Sequence, residues 1–204
     1  MELQGRTIVV TGASAGLGRA VSQRLVEAGA RVVLVSRNRE ALSTLSAALP
    51  GTSVIVADLA QFEQARGMVR EAIWRGGFDA LVNAAGRTYE ASVETCTVEA
   101  MDYLFRLHVL GPVVAMQEAI PHLRSRGGGS LVNLSSTVAL EPTPGQGAIS
   151  ASKRALDGFT LAAREELAAD RIQVSLVYPG SDLDQGAAAV IRALQEGDAE
   201  YRMP

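Results

Sequence analysis

Alternation constrains this chain more than any other feature. Six short runs rich in β-branched residues are "RTIVVT" from Arg6, "ARVVLVS" from Ala30, "TSVIVAD" from Thr52, "FDALVNAA" from Phe78, "GSLVNLSS" from Gly129 and "IQVSLVYP" from Ile172. Between them lie residues 17–28, 39–49, 61–75, 98–124 and 148–170, each with apolar residues three to four apart, the spacing of an amphipathic helix. The short runs are apolar on both faces, as strands are when helices cover both sides of a parallel sheet. Repeated βα units joined by right-handed crossovers give a doubly wound α/β sheet of six strands. Its ligand crevice lies at the carboxyl ends of those strands.

Breakers such as "PGT" at Pro50 and "RGGGS" from Arg126 fall between elements, and no linker or internal repeat divides the chain, so residues 1–204 read as a single domain. Charged residues make up 20% and the formal net charge is −3, which argues against nucleic acid or an anionic membrane as partner. The lone Cys96 excludes an internal disulfide. With His108 and His122 as the imidazoles, no metal-ligand spacing is present. The start "MELQGRTIVV" lacks a signal-peptide pattern and no apolar run is long enough to cross a bilayer, so a cytoplasmic setting is expected. After Gly180 only "SDLD" precedes a last helical pattern, residues 185–196, which makes the region beyond about 180 look abbreviated.

"TGASAGLG", Thr11 to Gly18, follows the first strand and opens the first helix. Gly12 permits a tight turn, Gly16 lets the backbone approach a pyrophosphate, and Gly18 allows close packing of the helix. The helix N-terminus offers free N–H groups to the anion. This is the dinucleotide pattern of a Rossmann fold. Where an acidic residue would bind a ribose 2′-hydroxyl, the second strand ends in "SRNR", and Arg37 suits a 2′-phosphate, pointing to NADP rather than NAD. A solvated surface arginine is the alternative reading of Arg37.

With these pieces placed, the chain resembles the short-chain dehydrogenase/reductase family from Leu3 to about Gly180. "TGASAGLG", "AD" ending at Asp58, "NAAG" from Asn83 to Gly86, "LVNLSS" ending at Ser136, "SASK" ending at Lys153 and "YPG" ending at Gly180 occur in the family's order and spacing. The resemblance implies a hydride-transfer protein acting on a carbonyl or alcohol substrate. It implies cofactor contacts from Gly12, Ser14, Gly16, Leu17 and Gly18, from Arg37, Asp58 and Leu59, from Asn83, Ala84 and Gly86, and from Lys153, Pro179 and Gly180. Asp58 would meet the adenine, Asn83 would lie near the adenosine ribose, and Lys153 would hold the nicotinamide ribose. The alternative reading is that Asp58 caps the following helix and that Asn83 satisfies backbone groups at a strand end. Lys153 stands out as the single lysine beside eighteen arginines, a compact ammonium where a planar guanidinium would fit poorly. The family commonly dimerises through the helices that carry His108 and Lys153, so a homodimer or homotetramer is expected.

Ser, Tyr and Lys carry the family's reaction, aided by an Asn on the long preceding helix. The Ser and Lys positions hold Ser136 and Lys153. The Tyr position, thirteen residues after Ser136 and four before Lys153, is Ile149, and the Asn position is His108. The Thr expected four residues past the Pro-Gly turn is Asp184, the substrate-covering segment is nearly absent, and no sequence remains for the family's last strand. An isoleucine neither ionises nor donates a hydrogen bond. The proton accompanying hydride transfer must therefore come from elsewhere, with His108 through a water, Tyr178 or Tyr89 as candidates, or the chain binds NADP without turnover as a sensor or scaffold.

Overall fold

The computed structural model describes residues 1–197 and 200–202. The chain begins β1 (Thr7–Thr11), α1 (Gly16–Glu27), β2 (Arg31–Ser36), α2 (Arg39–Ala48), β3 (Thr52–Val56), α3 (Phe62–Trp74) and β4 (Ala80–Asn83). It continues through α4 (Val98–Phe105), α5 (Gly111–Ser125), β5 (Gly129–Leu134), the short α6 (Thr137–Leu140), α7 (Gly147–Leu167), β6 (Ile172–Tyr178), α8 (Leu183–Glu196) and β7 (Glu200–Arg202). The strands form one parallel sheet in the order β3-β2-β1-β4-β5-β6-β7. Among the described residues no helix is long and apolar enough to cross a membrane.

The doubly apolar strands have a direct structural cause. Val9, Val33, Leu81 and Leu131 point into a core with Met68 of α3, Met116 of α5 and Ala163 of α7. Ile8, Val10, Leu34, Val82 and Val132 point into the opposite core with Leu25 of α1, Leu42 of α2 and Val190 of α8. Each of the Val, Leu, Ile and Met side chains among these contributes about 1.5–3 kcal/mol through burial. Side-chain caps fix several helix starts: Asn38 Oδ1 accepts from Ala41 N–H and Thr97 Oγ1 from Ala100 N–H.

The structure corrects the sequence reading in two places. The stretch 98–124 is not a continuous α-helix: a π-helical turn, Arg106–Leu110, separates α4 from α5 and contains His108. Gly111 explains the close approach there, because a Cβ at that position would lie 2.3 Å from the Leu59 carbonyl oxygen. The sheet also has seven strands, not six. Asp182 caps α8 two residues beyond Gly180, its Oδ1 accepting from Asp184 N–H and Gln185 N–H, so the connection from β6 uses little chain. Gly197, at φ +74°, ends α8, and Glu200, Tyr201 and Arg202 then pair with Leu176, Val177 and Tyr178. Three residues without a β-branched run carry no strand signal; register against β6 makes them a strand.

Candidate active site

Strand ends and their loops enclose a cleft of about 1090 Å³ on the carboxyl side of the sheet. Its floor and walls run from the glycine loop, past Arg37 and Asp58, to Ala84 and Gly86, then to Ser136, Ile149, Lys153, Pro179 and Gly180.

At the glycine loop, each glycine answers a separate constraint. Gly12 has φ +69°, and a Cβ there would come within 2.8 Å of the Ala84 carbonyl oxygen and the Ala85 Cα. Gly18 faces the Gly12 carbonyl oxygen, 2.4 Å from where its own Cβ would sit. Gly16, at φ +50°, would meet nothing within 4 Å. The open side of the loop is therefore at Gly16, where α1 begins with Ala15 at its N-cap, no side-chain cap and no acidic residue in its first turn. Uncapped amides beside open space fit a pyrophosphate. Thr11, which sequence reasoning passed over, locks this arrangement: its Oγ1 accepts from Ala84 N–H at 3.0 Å and Ala85 N–H at 3.1 Å. Ser14 and Leu17 line the same wall. Leu17 and Pro179 also press on Gly186, where a Cβ would lie 3.1 and 3.2 Å from them, seating α8 against α1.

Arg37 is an exposed arginine, 57% accessible along its side chain, but a tethered one. It donates to Tyr103 Oη at 2.8 Å and stands 3.9 Å from Asp58 Oδ2, while Arg87 lies over the Tyr103 ring at 5.8 Å. Tyr103, half-buried on α4, carried no sequence signal, because only the fold brings it beside β2. Asp58 Oδ1 accepts from Ala60 N–H at 3.0 Å, the local turn-capping role, and the Asp58 side chain also lines the cleft. Leu59 is buried and lines the cleft beside it. Asn83 sits beneath the cleft wall. Its Nδ2 donates to Asn133 Oδ1 at 2.8 Å, and Asn133 Nδ2 donates to Thr160 Oγ1 at 2.9 Å, tying β4, β5 and α7 together.

At the far end, α7 presents Ile149 and Lys153 one turn apart to the cleft, opposite Ser136 at the end of β5. Ser136 Oγ accepts from Val138 N–H at 3.4 Å as the cap of α6, leaving its proton available to another acceptor. Lys153 is buried and its Nζ donates to the Leu134 carbonyl at 2.6 Å. Burial lowers its pKa to about 8, with Asp157 pulling the other way.

His108 is buried with both ring nitrogens engaged. Nε2 accepts from Arg87 N–H at 3.1 Å, which places the ring proton on Nδ1, donating to Ser152 Oγ at 2.9 Å; Ser152 in turn donates to the Ile149 carbonyl at 2.9 Å. Burial, and then the Lys153 charge, lower its pKa to about 3. A neutral imidazole committed on both sides braces the loop after β4 against α7; it lines the cleft, but its one ring proton is already donated to Ser152. Tyr178 is buried below the cleft, where its hydroxyl bonds the Asp157 carboxylate. Tyr89 reaches the cleft wall. Asp184 is turned onto α1, pairing with Arg24 at 2.6 Å.

Residues 6–188 match the short chain dehydrogenase family. This chain belongs to that family. Carbonyl reductase family member 4 of Danio rerio is 35% identical over 202 residues, covering 94% of this chain and 84% of that protein. A short-chain dehydrogenase from Streptomyces avermitilis superposes with a TM-score of 0.92 at 30% identity, covering 98% and 89% of the two chains. The bulky-bulky ketone specific alcohol dehydrogenase of Comamonas testosteroni, at 22% identity, shares the fold with a TM-score of 0.91 over 98% of this chain and 86% of its own. The short-chain dehydrogenase fold implies a nicotinamide cofactor, and the cradle at Gly16 fits one.

Proposed function

We propose that this short-chain dehydrogenase binds NADP(H) and acts on a carbonyl or alcohol substrate with altered proton transfer. The observation that carries the reading is the continuity of one cleft from Gly16 and Arg37 to Ser136 and Lys153, interrupted at the proton-donor position by Ile149. Gly16 and the start of α1 would receive the pyrophosphate, Arg37 a 2′-phosphate, and Lys153 the nicotinamide ribose. The bound nicotinamide supplies or accepts the hydride. Ser136 would donate to the substrate oxygen, and the apolar Ile149 side chain would leave that oxygen without a phenol beside it. The likeness to a carbonyl reductase supports a carbonyl substrate.

The second reading, an NADP-binding protein without turnover, is favoured by one specific arrangement: His108 and Tyr178, two of the three substitute donors, are tied into internal hydrogen bonds. Thermal-shift titration with NADPH and NADH, followed by a turnover screen on carbonyl compounds, tests both. A ligand that binds only the folded state at one hundred times its Kd raises stability by about 2.7 kcal/mol, a readily measured rise in Tm. No stabilisation by either nucleotide would sink both readings; stabilisation without turnover selects the second. We also infer self-association through the helices that flank the cleft, because Met101, Leu110 and Phe159 are exposed there, and light scattering that finds a monomer would overturn this.

A further inference from the structure

Next to Lys153, at the inner edge of the cleft, lies a polar cluster of Ser135, which lines the cleft, and of Asp157 and Tyr178, which do not. Asp157 follows Lys153 by one helical turn on the same buried face of α7 and is 6% exposed. The hydroxyls of Ser135, just past β5, and Tyr178, the last residue of β6, converge on its carboxyl group. The Ser135 hydroxyl faces the carboxyl without closing a well-formed hydrogen bond, so Asp157 Oδ1 and Ser135 Oγ are both buried and incompletely satisfied among the described residues. A buried carboxylate with an unspent acceptor is costly unless a charge compensates it.

We propose that Asp157 is a positioning residue whose carboxylate keeps the Lys153 ammonium charged and directed at the cleft. Burial disfavours both charges, and each opposes that penalty for the other through an interior that screens little. Other groups around Lys153 do not provide this charge. His108 on the π turn is neutral, Ser135, Ser152 and Tyr178 are hydroxyls, and Arg154 turns outward to the Leu140 carbonyl. Ile149 offers no phenolate. The sign follows directly. Lys153 is charged below its pKa of about 8 and loses its charge as pH rises through it, and removing Asp157 moves that loss to lower pH. Burial pushes the Asp157 carboxyl above its ordinary range, against the Ser135 and Tyr178 hydroxyls, Lys153 and Arg154, so the paired state also ends on the acid side.

Because Lys153 is the only lysine, labelling with [13Cε]lysine gives a single side-chain resonance in the full chain, readable without cofactor. The expected result is a titration midpoint that falls by roughly one pH unit in Asp157→Asn and returns in Asp157→Glu. A midpoint in Asp157→Asn equal to the unmodified protein overturns the proposal. Should that variant fail to fold, Asp157→Ser, which keeps a polar group facing Ser135 and Tyr178 but removes the charge, decides: a fall in the same direction supports the assignment, and no change overturns it. A second measurement rests on the NADP reading. Calorimetry should show NADPH affinity of Asp157→Asn dropping about fivefold near pH 8, a point at which the unmodified protein still keeps about half of its Lys153 charge. A shifted midpoint with unchanged affinity would leave the counter-charge role standing and remove Lys153 from the cofactor, so the two failures are distinct.

Discussion

The two ends of the cleft follow different rules. At the glycine loop every departure from ordinary backbone has a use: Gly12 and Gly18 make room for protein, and Gly16 leaves room for something else. Around Ile149 the surroundings are equally well ordered, with His108, Ser152 and the Ile149 carbonyl joined in a satisfied chain of hydrogen bonds, yet none of these groups holds a proton for a substrate. One end leaves open space and uncapped helix amides at Gly16; the other has its polar groups paired with one another. The contrast teaches that a binding surface and a proton-transfer apparatus can be changed separately, because the first rests on backbone shape and the second on the chemistry of single side chains.

The largest expected effect is at the Ile149 end. Ile149→Tyr restores a phenol one turn before Lys153 and across from Ser136, and general acid catalysis typically contributes about 10² to 10⁴ in rate. NADPH oxidation over a panel of aldehydes and ketones should rise by a factor in that range. If the variant binds NADPH as before and its rate does not move, the deficiency lies in the uncovered substrate side rather than at position 149, and the contrast between the two ends fails in its chemical half.

How much of this was legible in the sequence depends on whether a feature is local. The loop geometry of Gly12 and Gly16 and the parallel strands were readable because spacing along the chain carries them. The seventh strand was not, since Glu200, Tyr201 and Arg202 acquire strand geometry from their register on β6 and not from their own composition. The π turn hid inside an apolar helical pattern, next to a close contact of Gly111 with the Leu59 carbonyl, fifty-two residues away in the chain. Tyr103 beside Arg37 and Tyr178 beside Asp157 are likewise tertiary facts. His108 invited a catalytic reading by residue type, and only its partners show a ring whose nitrogens are already committed.

An intermediate effect separates shape from stability at the receptive end. Gly12→Val forces a Cβ against the Ala84 and Ala85 backbone at a positive φ, and overpacking with left-handed strain should cost about 2–5 kcal/mol, seen as a lower urea midpoint. Gly16→Val meets no neighbour and carries the backbone strain alone, about 1–2 kcal/mol, while its side chain fills the space proposed for the pyrophosphate. Calorimetry should find NADPH binding lost in Gly16→Val, with a melting temperature closer to the unmodified protein than that of Gly12→Val. Equal loss of stability in both would mean that Gly16 is packed like its neighbour and that the open side of the loop is not a ligand site.

The smallest effect sharpens the comparison within the receptive end itself. Arg37 is held by the Tyr103 hydroxyl and lies 3.9 Å from Asp58, so part of its charge is already answered, and the rest of its guanidinium remains free for a phosphate. A charge-assisted hydrogen bond contributes about 1.5–3 kcal/mol, so Arg37→Ala should weaken NADPH about tenfold to a hundredfold and leave NADH nearly unchanged, because only NADPH carries the 2′-phosphate. Tyr103→Phe should weaken NADPH less, since the guanidinium loses its tether and keeps its charge. Competitive titration of the two nucleotides reads the ratio. If Arg37→Ala weakens NADH as much as NADPH, Arg37 shapes the pocket through Tyr103 and Asp58 without reading the ribose, and the preference for NADP falls while the pyrophosphate cradle at Gly16 stands.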